Sequence, residues 1–353
     1  MEVDLEFLRE LCLSPSPSGF EGAVQAVVRR RLEGVAEAQG DPLGNLWADV
    51  GAEAGPHVLA VAHADQIGMI VTHIDENGYL RLDVIGWLDQ QLLPGHTVLI
   101  HGAHGVVRGA VGRPPTHIIP EAERGKAAPI RDQFVDIGAR DRDEALARVA
   151  VGDPVTFDQG FDELSPGRFV SQAIDDRAGV YAVVRALELY ARGGGKARFT
   201  AVSSAHEETT YMGARALGRR LRPDCLIVVD GTFTSDYPGV DAVRISGDLQ
   251  LGAGPVLGLG SVTNRKLTKL AQEVAREEDI AVQTQAIAGR LLTDAEQLAA
   301  AGEAATLALS IPMRYVHSAA EVADASDIED TAKLIAALTR RLGEVHEPGM
   351  FMP

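Results

Sequence analysis

Cysteine is nearly absent from this 353-residue chain: Cys12 and Cys225 are the only two, and they lie far apart in sequence. That excludes a disulfide framework and leaves both as expected buried thiols. No uninterrupted apolar run reaches the ~18 residues of a membrane span. Positive charge is also short, with 33 Lys and Arg against 50 Asp and Glu and a formal net charge of −17. This balance argues against nucleic acid and against an anionic membrane surface as partner. The opening residues, Met1-Glu2-Val3-Asp4-Leu5-Glu6, are acidic and lack the apolar core of a signal peptide. A reduced, cytoplasmic location is therefore expected. Internal repeats and low-complexity tracts are absent too. What is present is apolar mass: 46% of residues are hydrophobic and mean hydropathy is +0.01. A chain of this length holds one large domain or two ordinary ones.

The order of patterns points to an α/β protein with an interruption. Leu5, Leu8 and Leu11 share a helical face, and Pro15 and Pro17 end that helix. Ser18 with Glu21 three residues on reads as the start of a second helix through Val24, Val27, Val28 and Leu32. Residues 58–62 are continuously apolar, the pattern of a strand buried on both faces. From about 68 to 163 short β-like stretches alternate with Gly and Pro, at 69–74, 79–85, 97–101, 105–111, 134–137 and 154–157. This texture predicts a small β-barrel or sandwich, 68–163, inserted into a unit made of 1–67 and 164–353. Beyond 170, helix and strand alternate: helices at 178–190, 214–221, 262–277, 294–301 and 326–342, strands at 199–203, 225–229, 242–246, 281–285 and 304–309. Alternation of that kind predicts an α/β sheet with helices on both faces.

Five short segments place imidazoles or carboxylates at the ends of these apolar runs: His63-Ala64-Asp65, Asp175-Asp176-Arg177, Glu207-Glu208, Asp230 and Tyr315-Val316-His317-Ser318. Ligands collect at the carboxyl ends of strands in open α/β sheets. Imidazole and carboxylate suit Zn²⁺ and its divalent neighbours. Asp65 is placed in sequence to accept the second N–H of a ligating His63. Asp175 has two oxygens and can bridge two cations, while Asp176 reads as a helix cap. Adjacent Glu207 and Glu208 repel unless a cation lies nearby, which suits one as ligand and the other as general base. Asp230 follows a strand too apolar to be exposed and must find a partner. Each segment alone fits an ordinary loop, cap or core residue. Together they read as a two-metal hydrolase. His96, His101, His104 and His117 fall in the β-rich stretch and His206 precedes the Glu pair; none shares this placement, and none is assigned a metal role.

With those residues in place, the chain resembles the tetrahedral and glutamyl aminopeptidase family of dinuclear metallopeptidases, some of whose relatives carry a glucanase label. The matching stretches run nearly end to end. They include Ala62-His63-Ala64-Asp65-Gln66-Ile67-Gly68, Gly109-Ala110-Val111-Gly112, Val135-Asp136-Ile137-Gly138-Ala139 and Ala173-Ile174-Asp175-Asp176-Arg177-Ala178-Gly179. They continue with His206-Glu207-Glu208, Val229-Asp230, Leu251-Gly252-Ala253-Gly254-Pro255 and Arg314-Tyr315-Val316-His317-Ser318. The resemblance implies a zinc-peptidase-like α/β catalytic domain and an inserted β-rich dimerisation domain. It implies two divalent ions, Zn²⁺ or Co²⁺, with His63, Asp175 and Glu208 on one and Asp175, Asp230 and His317 on the other. Glu207 would be the general base and Asp65 the partner of His63. Short peptides would lose their N-terminal residue, and dimers would assemble into a tetrahedral dodecamer. A deacylase or dipeptidase on the same core is the alternative. One departure stands out: Thr209-Thr210-Tyr211-Met212 replaces the family's usual Val-Gly-Leu-Arg before Gly213-Ala214. That segment adjoins the expected metal ligands and bears on substrate preference.

Overall fold

The computed structural model describes residues 3–352, so Met1 and Glu2 of the acidic start lie outside the described residues. These residues form an 11-stranded mixed sheet flanked by helices, and a separate closed barrel. At the centre of the sheet, Arg198–Ser204, His57–His63, Cys225–Phe233 and Ala305–Arg314 are parallel neighbours in that order. Their near-continuous apolar runs follow from burial on two faces. Val58, Ala60, Ile227 and Val229 point into one core, with helices Ile174–Gly193 and Ala325–Val345. Leu59, Val61, Leu226 and Val228 point into the other, with Ala214 and Leu217 of Met212–Leu221 and Leu298 of Asp294–Gly302. Antiparallel strands extend the sheet: Ala38–Gly40 and Leu46–Gly51 on one side, Glu321–Asp324, Arg168–Ser171 and Asp162–Ser165 on the other. No described helix is long and apolar enough to cross a membrane.

The β-rich stretch is a barrel rather than a sandwich. Gly68–Ile74, Leu80–Ile85, Phe134–Asp136, Gly105–Gly112, Thr97–Gly102 and Pro154–Phe157 close on themselves. Its interior has its own core, including Met69, Val71, Leu80, Val98, Ile100 and Phe157.

Three local expectations give way. Residues 242–246 are not a strand: Ala242–Ile245 is a short helix, because Asp241 caps it by accepting from the Arg244 N–H. Ser18 does not open the second helix, which spans Gly22–Leu32. The Ser18 hydroxyl instead pairs with Thr209 at 2.8 Å, and Glu21 accepts from the Gly19 and His206 N–H groups. Those contacts tie this turn to the Glu207 loop, a tertiary demand that local capping signals do not carry. Cys225–Phe233 and Ala305–Arg314 run past 229 and 309, because their ladder continues from Asp230–Ser310 to Phe233–Met313.

Candidate metal centre

Parallel register brings the site together. Ser204 pairs with His63, and Val61 pairs with Val228, so two residues further on His63 and Asp230 lie side by side. Glu207 and Glu208 follow the Arg198–Ser204 strand, and His317 follows Ala305–Arg314. Asp175 and Asp176 have non-helical backbone where the helix Ile174–Gly193 begins, and the peptide joining them is cis. Asp176 then caps the helical part: its Oδ1 accepts from Gly179 N–H at 3.0 Å. A Cβ at Gly179 would collide with that carboxylate, so this turn requires glycine.

The structure therefore gathers His63, Asp175, Glu207, Glu208, Asp230 and His317 around one cavity of ≈ 740 Å³. Asp175 lies between two imidazoles: its Oδ1 is 3.4 Å from His63 Nε2 and its Oδ2 is 3.4 Å from His317 Nε2. Glu208 Oε1 is 3.5 Å from His317 Nε2. Asp230 Oδ1 is 3.8 Å from His63 Nε2. By these distances Glu208 sits with His317 and Asp230 with His63, a different pairing from the one that the family resemblance implied. The groups able to hold a cation are accordingly His63, Asp176 and Asp230, and Asp175, Glu208 and His317. Both Asp176 oxygens already accept backbone N–H groups, from Gly179 and from His63. Asp175 Oδ1, buried with no hydrogen-bond partner, is the freer donor beside His63.

Behind the cavity, carboxylates hold the backbone of these residues. Asp65 accepts from Glu207 N–H with one oxygen and Glu208 N–H with the other, both at 3.0 Å. His63 Nδ1 is closer to the Asp65 carbonyl oxygen, 3.1 Å, than to its carboxylate, 3.6 Å. A proton on Nδ1 satisfies that carbonyl and leaves the Nε2 lone pair facing Asp175 and Asp230. Glu321 accepts from Asp175 N–H at 3.0 Å and from His317 N–H at 2.8 Å. Arg177, fully buried, donates to the Ala64 carbonyl and to Gln66 Oε1. Sequence reading gave Glu321 and Arg177 no part. Their signal is weak: a Glu four residues after His317, and an Arg beside two Asp.

So many acids in one dry place set the electrostatics. Burial raises Glu207 and Asp230 well above the usual carboxylate range, and the neighbouring carboxylates add to it. Burial alone would raise Asp175 as well, but the His317 and His63 imidazoles that face it, 3.4 Å away on either side, hold it below its ordinary value. Burial would lower His317, yet Asp175 and Glu208 lift it to about 11. Asp294, buried near the cluster and bonded to the Ser204 hydroxyl, is pushed up to about 6. The cluster is an excess of negative charge that cations would relieve. Asp175 Oδ1 and Glu208 Oε1, both buried and unpartnered, are what a cation would satisfy.

Sequence comparison finds that the M42 glutamyl aminopeptidase family matches residues 44–334. A lysyl aminopeptidase from Pyrococcus furiosus is 36% identical over 345 residues, 96% of this chain and 98% of that protein. The TET aminopeptidase from Thaumarchaeota archaeon SCGC AB-539-E09 superposes with a TM-score of 0.90 at 29% identity, covering 96% of each chain. The Pyrococcus horikoshii TET1 peptidase, described as assembling into a tetrahedron or a large octahedral shell, gives a TM-score of 0.86 at 29% identity. That match covers 95% of this chain and 98% of the other.

Proposed function

The chain belongs to the M42 glutamyl aminopeptidase family, and from that premise we propose that it removes the N-terminal residue of short peptides by two-metal hydrolysis. The carrying observation is the buried donor set, with Asp175 between His63 and His317 and an unpartnered oxygen on each of Asp175 and Glu208. In this reading His63, Asp175 and Asp230 hold one divalent ion, and Asp175, Glu208 and His317 hold the other. When bound, Zn²⁺ or Co²⁺ would supply an acidified water and a polarised carbonyl.

Glu207 is the proton carrier. It faces the cavity, and burial raises its proton affinity well above that of an ordinary carboxylate, which makes it a stronger base. It takes the proton of the attacking water and returns it to the leaving amine. Asp65 fixes the Glu207 and Glu208 backbone, so base and ligand stay in register. The free α-amino group of a peptide finds a negative field among the cavity carboxylates, which makes the activity an exopeptidase one.

The wider reading follows the same support. Residues 1–67 and 164–353 form the catalytic unit and 68–163 a dimerisation unit. Dimers build a homo-oligomer, up to a tetrahedral dodecamer, as assemblies of that shape are described for the Pyrococcus horikoshii relative. A cytoplasmic setting belongs to the same proposal, and the net charge of −17 disfavours nucleic acid and an anionic membrane surface as partners.

The test is a chelator-and-metal titration of hydrolysis with amino-acyl anilides and their N-acetylated twins. Activity that returns with Zn²⁺ or Co²⁺, on free-amine substrates alone, supports the proposal. Equal cleavage of acetylated substrates would move it to a deacylase. Glu207→Gln is expected to cut turnover by about 10²–10⁴ while metal content stays unchanged; lost metal would make Glu207 a ligand instead.

A further inference from the structure

The cavity extends past the proposed metal ligands, and its outer wall has a different chemistry. That wall comes from three places: the 285–293 segment, the end of the Cys225–Phe233 strand, and Trp87 from the barrel side. Gly86 sets the approach of Trp87, since its φ is +79° and a Cβ there would crowd Ile67 and Glu208. Trp87 is 84% exposed, Leu292 61% and Phe233 52%. Large apolar side chains left in water around one concavity mark a binding surface rather than scattered exposure.

Charge is arranged to match. The carboxylates that line the cavity, Asp175, Glu207, Glu208 and Asp230, all belong to the metal cluster, and the described outer wall contributes none. The permanent cation of that wall is Arg290. Its Nε lies 3.7 Å from Glu296 Oε1, and the same oxygen accepts from the Leu291 and Leu292 N–H groups. Glu296 thus braces the loop through those two amides, and its charge offsets that of Arg290. Tyr211, inside the segment that departs from the family pattern, donates its hydroxyl to the Leu292 carbonyl at 3.2 Å. The departure and the apolar wall are one construction.

Resting on the aminopeptidase reading, we propose that the enzyme selects peptides whose N-terminal side chain is neutral and apolar, aliphatic or aromatic. Trp87, Phe233 and Leu292 supply the contacts, and Tyr211 positions Leu292. A lysine or arginine side chain would leave water without a counterion and meet Arg290. An acidic one would meet an arginine whose charge Glu296 already offsets, beside apolar side chains that offer it no hydrogen bond.

The test measures kcat/KM of the metal-loaded enzyme on leucyl, phenylalanyl, alanyl, lysyl and glutamyl anilides. Leucyl and phenylalanyl are expected to exceed lysyl and glutamyl by about tenfold or more. Leu292→Asp should raise the lysyl-to-leucyl ratio by about tenfold, because it gives the wall a counterion. The φ of Leu292 is +59°, a conformation Asp tolerates, so the backbone survives the change. Phe233→Ala should lower phenylalanyl relative to alanyl turnover. Lysyl or glutamyl rates equal to leucyl, or no preference over alanyl, overturn the proposal. If no free-amine substrate is cut at all, the aminopeptidase reading fails by itself. Calorimetric binding of leucine amide against lysine amide then decides the wall's preference: tighter leucine amide supports it, and equal affinities overturn it.

Discussion

Glu321 tests the site without touching anything a substrate could reach. It is buried, lies behind the cavity, and joins the Asp175 and His317 backbones through its two oxygens. His317 has φ +64°, unfavourable for a residue with a side chain, and the Glu321 bond helps hold it there. Glu321→Gln keeps one acceptor and turns an NH₂ toward the other amide. Metal affinity is expected to fall about 10–100-fold, read by competition with a chromophoric chelator. A drop in melting temperature with unchanged metal affinity would make Glu321 part of the fold alone. The cysteines give a second expectation. Burial pushes both thiols up to about 12, so a disulfide reagent at about pH 8 should find no thiol in the native protein and both after unfolding. A fast native reaction would show that one of them is open to solvent. His63, the Glu pair and Asp230 were legible in the sequence because they end apolar runs. Glu321 was not, because Glu321-Val322-Ala323-Asp324 reads as an ordinary half-exposed strand and only tertiary burial reveals the load on its carboxylate.

Among the elements, the helix Ala325–Val345 carries a pH-sensitive anchor at its first turn. Asp327 is fully buried and accepts from the Gly252 and Gly254 N–H groups at 2.8 and 2.7 Å, pinning the loop before Val256–Gly260 to the helix. Burial outweighs those two bonds and raises its pKa to about 7. An acid raised on folding binds its proton more tightly in the native state, so its contribution to stability falls as pH rises from about 4 to about 7. Asp327→Ala should flatten that part of the pH dependence and destabilise the protein by about 1–3 kcal/mol, both measurable by denaturant unfolding across pH. An unchanged slope would mean that Asp327 stays ionised when folded. Most elements were readable for the same reason that this helix was: long apolar periodicity is decided by burial on a sheet. The 242–246 stretch was misread because Val243 and Ile245 suggest a strand, while the Asp241 cap commits the turn to helix and leaves Val243 exposed. The Gly22 start was hidden because Ser18 and Glu21 are spent on the Glu207 loop.

At the scale of the whole molecule, charge opposes the proposed assembly. Each chain carries −17, part of it in the buried carboxylates that bound cations would offset. Copies brought together repel unless salt screens them or apolar contact outweighs the repulsion. The barrel offers such contact: Val106, Ile118 and Val151 are large, apolar and at least 60% exposed, and all three lie between 68 and 163. Screening shortens from about 30 Å at 0.01 M salt to about 8 Å at 0.15 M, a change that reaches across an interface. Light scattering should therefore show the oligomer at physiological salt and smaller species when salt is withdrawn, with the balance shifted further by chelation. Replacing Ile118 and Val151 with Lys should weaken the barrel contact by removing apolar area, even though the added charge reduces the net repulsion. If mass falls in that variant, apolar burial outweighs charge at the interface. If the native protein runs as a single 37.5 kDa chain at every salt concentration, the barrel is not a dimerisation unit and the cavity must be complete in one copy.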